Sequence, residues 1–411
     1  MRCTLFWSFI LTVFYLFGLS TLPLIAQKTV LPFHQLAVAD NLSAQSFNYY
    51  ILKDSDGYVW ISSINGLNRY DGQEVIQFQP EQGNDASLIE GSIQGELYED
   101  KKTNIWFGTN KGVQCYHKNT RVFKNYDLGI NINLSEPYKV LYMDKKREHL
   151  WVGIGYDLYR LNVGDPLDYQ LIMNYKTFDQ TCFVERDSFL LIYSPLEKFK
   201  GLGKVKLKFR NDSLIELPLI DTLLLGESVF DLHYENEDTI WVISQKGLHL
   251  IDGTGKERTF VDQFNGIELT SMVSVNPFGN ESLLVATRSA EEGMYLFDKS
   301  DLEFSTQIYL TQNHKVQPFN MSVEKVNITS DSAIWISTRG RGVFYTKPSH
   351  KKMEAYLQNY KGAFSSKTNI LGIAEDQSGN LWCLTVEGIV VMTPKGHINP
   401  QFKKWIENPP S

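Results

Sequence analysis

Cysteine is scarce: the 411 residues hold four, and none forms a Cys-x-x-Cys pair. A small disulfide-stapled scaffold is therefore excluded. Histidine is thin as well. The eight stand apart as His34, His117, His149, His233, His249, His314, His350 and His397, with no His-Glu-x-x-His and no short-spaced cluster, so no metal site is expected. A basic excess is missing too: 40 Lys and Arg against 47 Asp and Glu give a net charge of -7, which argues against nucleic acid as a partner. Long runs with apolar spacing of three and four are absent, which removes helical repeats. No Gly-x-Ser-x-Gly or Gly-x-Gly-x-x-Gly stands in the strand–helix context those motifs require, so neither a catalytic residue nor a cofactor is expected. Aromatic residues, by contrast, are plentiful, at 24 Phe, 21 Tyr and 8 Trp, and they favour strands.

The N-terminus carries an address. Met1-Arg2 precedes an apolar run from Leu5 to Leu24 and then Ile25-Ala26-Gln27-Lys28. A basic start, an apolar centre and a small residue before a polar turn read as a secretory signal over residues 1–26, cleaved after Ala26. The product is expected to be periplasmic or secreted, with membrane contact only if the segment stays uncleaved. Cys115 and Cys383 fall inside strand-like runs and are expected as buried free thiols.

Six tryptophans share one setting. Asp54-Ser55-Asp56-Gly57-Tyr58-Val59-Trp60-Ile61-Ser62-Ser63 is followed by Gly66-Leu67-Asn68-Arg69-Tyr70-Asp71-Gly72, and the same order returns around Trp106, Trp151, Trp241, Trp335 and Trp382. Successive gaps are 46, 45, 90, 94 and 47 residues, so two degenerate copies should fill the doubled gaps. Leu283 to Thr287, with Leu284 in the tryptophan position, fills the second; Phe189 to Ser194 fills the first. Within the first unit, strands are predicted at Phe47 to Lys53, Tyr58 to Ser63, Leu67 to Tyr70 and Glu74 to Phe78. Gly66, Gly112 and Gly247 stand where tight turns require positive φ. Four short antiparallel strands at this period match one blade of a β-propeller. Each blade has two apolar faces, and its tryptophan can fill the space between adjacent sheets.

The predicted fold is thus all-β, a propeller of four-stranded antiparallel blades. Seven blades would occupy residues 31–358 and leave residues 359–411 as an additional blade-like unit, the start of a truncated second propeller. Eight blades would use the whole chain, and period alone does not separate the two. Pro32 to Leu36 reads as a strand that completes the last blade from the N-terminal side and latches the ring.

The pattern at 54–72, with the lead-in from Phe33 to Ser43 behind a signal segment, resembles the two-component regulator propeller repeat of Bacteroides-type hybrid sensors. The resemblance implies a periplasmic sensor region that recognises oligosaccharides, with a seven-bladed first ring. It also implies a second ring, a membrane helix and a histidine kinase, which these 411 residues do not hold; the chain reads as a sensor lacking its kinase part. By analogy with other propellers, binding is expected at the turns joining second and third strands. There Asn65, Tyr156, Arg288, Arg339 and Arg341 are the candidates, since arginine offers a planar fork to carboxylates or sugar hydroxyls. Solvated turn residues are the plain alternative for the arginines. Asp54-Ser55-Asp56-Gly57 reads as a turn rather than a calcium loop, because no late Glu follows. The expected partners are an oligosaccharide and either a second copy or downstream sensor domains. A protein-interaction scaffold and a carbohydrate-active enzyme are the competing readings.

Overall fold

The computed structural model describes residues 29–346 and 370–392, apart from 45–47, 131–137, 156, 175–181, 187–188, 194–200, 207, 211–212, 217–220, 224–225, 237, 261–262, 265–266, 313–314, 377, 379 and 386–387. The proposed signal segment lies outside the described residues. Packing divides the chain into Met1–Lys347 and Pro348–Ser411, and each is described by itself.

In the first blade the four strands follow the sequence pattern to within a residue. Asn48–Lys53, Val59–Ser63, Gly66–Tyr70 and Val75–Phe78 form one four-stranded antiparallel sheet. The pattern repeats with first strands at Ile93–Glu99, Tyr138–Asp144, Cys182–Arg186, Val229–Asn236, Met272–Phe278 and Val323–Ile328. Phe189–Tyr193 and Ser282–Thr287, the degenerate copies, are second strands like those that carry tryptophan. The described residues of the first unit thus contain seven repeats of this four-strand pattern, the second and third joined by a parallel bridge between Gly95 and Val140, and, besides strands, one 3-10 turn at Val38–Asp40.

Tryptophan does the stacking. Trp60 is fully buried and packs with Leu97, Ile105 and Tyr116 of the second sheet, while Trp106 packs with Val140 and Leu150 of the third. Trp241 meets Leu283 and Tyr295 of the sixth sheet, and Leu284 stands in a core shared with Ile334 and Ile336 of the seventh. Trp335 returns to Ile51, Ile61 and Tyr70 of the first. The first strands of the third and fourth sheets are neighbours, and Leu191 shares a core with Val229, so the succession closes on itself.

The closing strand comes from the N-terminus. Phe33–Leu36 pairs antiparallel with Val343–Thr346, from Phe33 opposite Thr346 to Leu36 opposite Val343. Thr29–Leu31, which no sequence pattern announced, adds a parallel strand to the sixth sheet at Ile308 to Leu310. In the fourth sheet a hairpin of Lys208–Arg210 and Ser213–Glu216 interrupts the repeat between Leu202–Lys206 and Asp221–Leu223. Cys115 and Cys383 are free and buried.

The second unit contains Ile370–Glu375, Leu381–Thr385 and Gly388–Met392 as one antiparallel sheet. It repeats the first three strands of a blade, with Trp382 in the second.

Candidate functional site

At one end of the first unit, the turns between first and second strands of the first, second and fifth blades each place a carboxylate six residues ahead of the tryptophan and bonded to its indole. Asp54 Oδ1 accepts the backbone N–H groups of Asp56 and Tyr58, and Oδ2 accepts Trp60 Nε1 at 2.7 Å. Asp100 does the same for Lys102, Asn104 and Trp106, and in the second unit Asp376 does so for Ser378, Asn380 and Trp382. Lys118 Nζ lies 2.7, 3.0 and 2.8 Å from carboxylate oxygens of Asp54, Asp56 and Glu99. Burial opposes its charge, but bonds to these three carboxylates hold the ammonium above the ordinary lysine range. The first turn therefore spends its carboxylates on backbone N–H, indole and ammonium.

The same register leads to the ring axis. Tyr50, Glu96, Val140, Asp231, Ser274 and Lys325 each stand four residues before the residue that opens the turn. In all six first strands a register irregularity falls at or beside this position. A bulge re-aims a side chain that regular pleating would direct elsewhere. From different blades four of these residues, Glu96, Asp231, Ser274 and Lys325, converge. Lys325 Nζ lies 2.8 Å from Asp231 Oδ1, and Ser274 Oγ and Val275 N each donate to Asp231 Oδ2 at 3.0 Å. Glu96 senses both charges. Burial raises its carboxyl above the usual carboxylate range, Asp231 adds to the rise, and Lys325 works against it.

Antiparallel pairing puts the start of each first strand beside the turn between second and third strands, as Asn48 opposite Ser63 shows. At this end Arg288 and Arg339 occupy equivalent places in neighbouring blades. Their backbone N–H groups donate to linker carbonyls, Arg288 to Ser271 at 2.8 Å and Arg339 to Ser322 at 2.9 Å. Both side chains turn to one carboxylate: Arg339 Nε lies 2.7 Å from Glu324 Oε1, and an Arg288 terminal nitrogen lies 4.0 Å from Glu324 Oε2. Glu324 is nearly buried at 9% side-chain exposure, while the arginines keep 49% and 51%. The pair thus presents two half-exposed guanidinium groups anchored on a fixed counter-charge.

The other sequence candidates differ. Arg341 is exposed, and its carbonyl accepts Gln35 Nε2 of the closing strand at 2.8 Å. Asn65 is tied into its own turn, through Ser63 Oγ and the Ser43 carbonyl. Tyr156 lies outside the described residues. Sequence reading missed Glu324 and the axial set. Aligning the units on the residue that opens each turn, four positions further on, would have exposed the axial residues.

Both units place a carboxylate six residues before an indole that donates to it. Residues 87–111, which run through the first two strands of the second blade, match the model of the two component regulator propeller family. None of the curated proteins matches significantly in sequence. In fold, the chain is similar to the extracellular domain of the putative hybrid two component system BT3049 from B. thetaiotaomicron. The TM-score is 0.59 at 20% identity, over 90% of this chain and 49% of that one. The corresponding domain of BT4673 from the same organism gives 0.57 at 16% identity, over 90% and 46%. The chain thus spans about half the length of these two domains. Virginiamycin B lyase from Staphylococcus aureus shares the fold at 0.54 and 12% identity, over 77% of this chain and 99% of that one. The chain is an all-β propeller in which residues 87–111 match the two component regulator propeller repeat.

Proposed function

We propose that this chain is the ligand-recognition propeller of an extracytoplasmic, carbohydrate-responsive two-component sensor. It binds an oligosaccharide without chemical turnover, at the end of the ring where Arg288 and Arg339 meet Glu324. The observation that carries the reading is this anchored pair. Guanidinium groups held by a nearly buried carboxylate are pre-organised, so a ligand carboxylate, sulfate or hydroxyl meets donors that lose little freedom on binding. The repeat at 87–111 and the fold shared with extracellular domains of hybrid two component systems support the sensor assignment. Sheet Ile370 to Met392 is proposed as a blade of a second ring, and the N-terminal segment as a cleaved secretory signal.

Titration calorimetry of the purified chain against neutral and uronate-bearing oligosaccharides tests the proposal. We expect at least one sugar to bind, with Arg339→Ala and Arg288→Ala each weakening it by about tenfold, the loss of one charge-assisted contact. If none of the sugars binds, the protein-scaffold reading replaces this one; if product forms, the enzyme reading does.

A further inference from the structure

His249 lies on Gly247–Asp252, the third strand of the fifth blade, and is fully buried. It nevertheless meets a carboxylate at each ring nitrogen. On the inner side Nε2 lies 2.6 Å from Ser244 Oγ and 3.3 Å from Glu227 Oε2, and Ser244 is itself bonded to Glu227. Lys246 Nζ holds the other Glu227 oxygen at 2.6 Å. On the outer side Nδ1 lies 2.9 Å from Glu257 Oε1 and 3.1 Å from Thr259 Oγ1, and those two oxygens are 2.9 Å apart. The outer group is a product of strand pairing: Thr259 sits directly opposite His249, and Glu257 is two residues along the same strand.

A neutral imidazole has one N–H. Donated inward, it satisfies the Ser244–Glu227 pair and leaves the Nδ1 lone pair facing a carboxylate oxygen. The Thr259 hydroxyl has a single proton and can serve only one of those two acceptors. Donating the one N–H outward instead only moves the shortfall to the Ser244–Glu227 side, so the two carboxylate-bearing sides are reconciled either by a second ring proton or by a metal cation at Nδ1. The triangle of Nδ1, Glu257 Oε1 and Thr259 Oγ1 has edges of 2.9, 3.1 and 2.9 Å, and a tetrahedral ion with bonds of about 2.1 Å spans edges of about 3.4 Å, so the three ligands would open by a few tenths of an ångström to hold it. Glu227 and Ser244 on the far nitrogen supply the outer-shell acceptor that orients a metal-binding imidazole. Candidate ligand atoms of Glu227, His249 and Glu257 all lie within 4.8 Å of one another.

We propose that His249, Glu257 and Thr259 form one face of a site for a divalent cation of the zinc class, with Glu227 and Ser244 fixing the imidazole from behind. An imidazole nitrogen in the donor set favours that class over calcium or magnesium, which take oxygen ligands. The bound ion would tie the outer strand Glu257–Phe260 through His249 to Glu227, in the linker that enters the blade. The proposal is independent of the oligosaccharide reading. Sequence spacing hid it because the ligands come from two strands and are 8 and 10 residues apart.

The test is to strip the purified chain with a chelator and titrate it with Zn2+ by calorimetry and with Co2+ by visible absorption. One equivalent should bind at micromolar concentration, with a rise in melting midpoint that chelator reverses. Glu257→Gln should weaken binding at least tenfold. Glu227→Gln should weaken it by about tenfold while the Co2+ band persists, as expected for an orienting group. Glu257 is on the surface, so its variant keeps the test valid even where His249→Gln does not fold. Unchanged affinity in Glu257→Gln overturns the proposal. So does failure to bind either ion below millimolar concentration, in which case a proton fills the gap and the His249 ring carries N–H at both nitrogens in NMR spectra.

Discussion

At the scale of single residues, charge is placed where water is scarce and then answered by a named partner. Asp54 is buried and saturated by two backbone N–H groups, an indole and an ammonium. The indoles of Trp151 and Trp335 show the opposite case. Asp144, seven residues before Trp151, is engaged by Arg147, and Thr329 stands six before Trp335; neither indole N–H has a hydrogen-bond partner among the described residues. Glu96 is the residue whose balance is least settled, since burial raises its carboxyl. A group with a raised folded-state value contributes its full stability below the ordinary glutamate value of 4.5, and loses it as pH climbs through the folded one. Glu96→Gln should therefore melt above the parent chain at pH 8, and the gap should close as pH falls below about 4.5. Calorimetric melts of the two chains across that range check the sign; a variant less stable at pH 8 would show that Lys325 outweighs burial.

At the scale of elements, the four-strand unit was legible because each part has a local cause. Turn glycines, alternating apolar residues and the recurrent tryptophan predicted all four strands of the first blade to within a residue. Gly66 illustrates the constraint: its φ is 136°, and a Cβ there would lie 2.3 Å from the Phe78 carbonyl oxygen. Gly57, at φ 90°, has open space around it. Gly66→Ala should cost about 2–3 kcal/mol, combining backbone strain with the clash, and Gly57→Ala about 1 kcal/mol from strain alone. Urea unfolding of both variants measures the difference, and equal losses would mean the hairpin shifts freely. What stayed illegible lies between elements. Arg288 and Arg339 could be named from their turns, but Glu324, which unites them, needed the packing of two blades. The axial residues needed a bulge, which depends on register between strands rather than on composition.

At the scale of the whole first unit, closure decides stability, because every sheet buries one face on each neighbour and the seventh is finished by residues from the other end of the chain. Period alone left seven and eight blades open. The ambiguity was physical, since the copy around Trp382 has the same local signals as the copies within the first unit. The parallel strand Thr29–Leu31 carries no repeat signature at all and is fixed only by the partner it finds at Ile308 to Leu310. The direct measurement is hydrogen exchange with thermal unfolding on two versions of the chain, one beginning at Pro32 and one at Ala37, both without the parallel strand Thr29–Leu31. Loss of the closing strand removes buried Leu36 and partly buried Phe33 and bares the edge of Val343–Thr346. The shorter chain should be less stable by about 3 kcal/mol or more, with protection lost along Val343–Thr346 first. Identical melting of the two chains, with that strand still protected, would contradict a ring latched by its N-terminus.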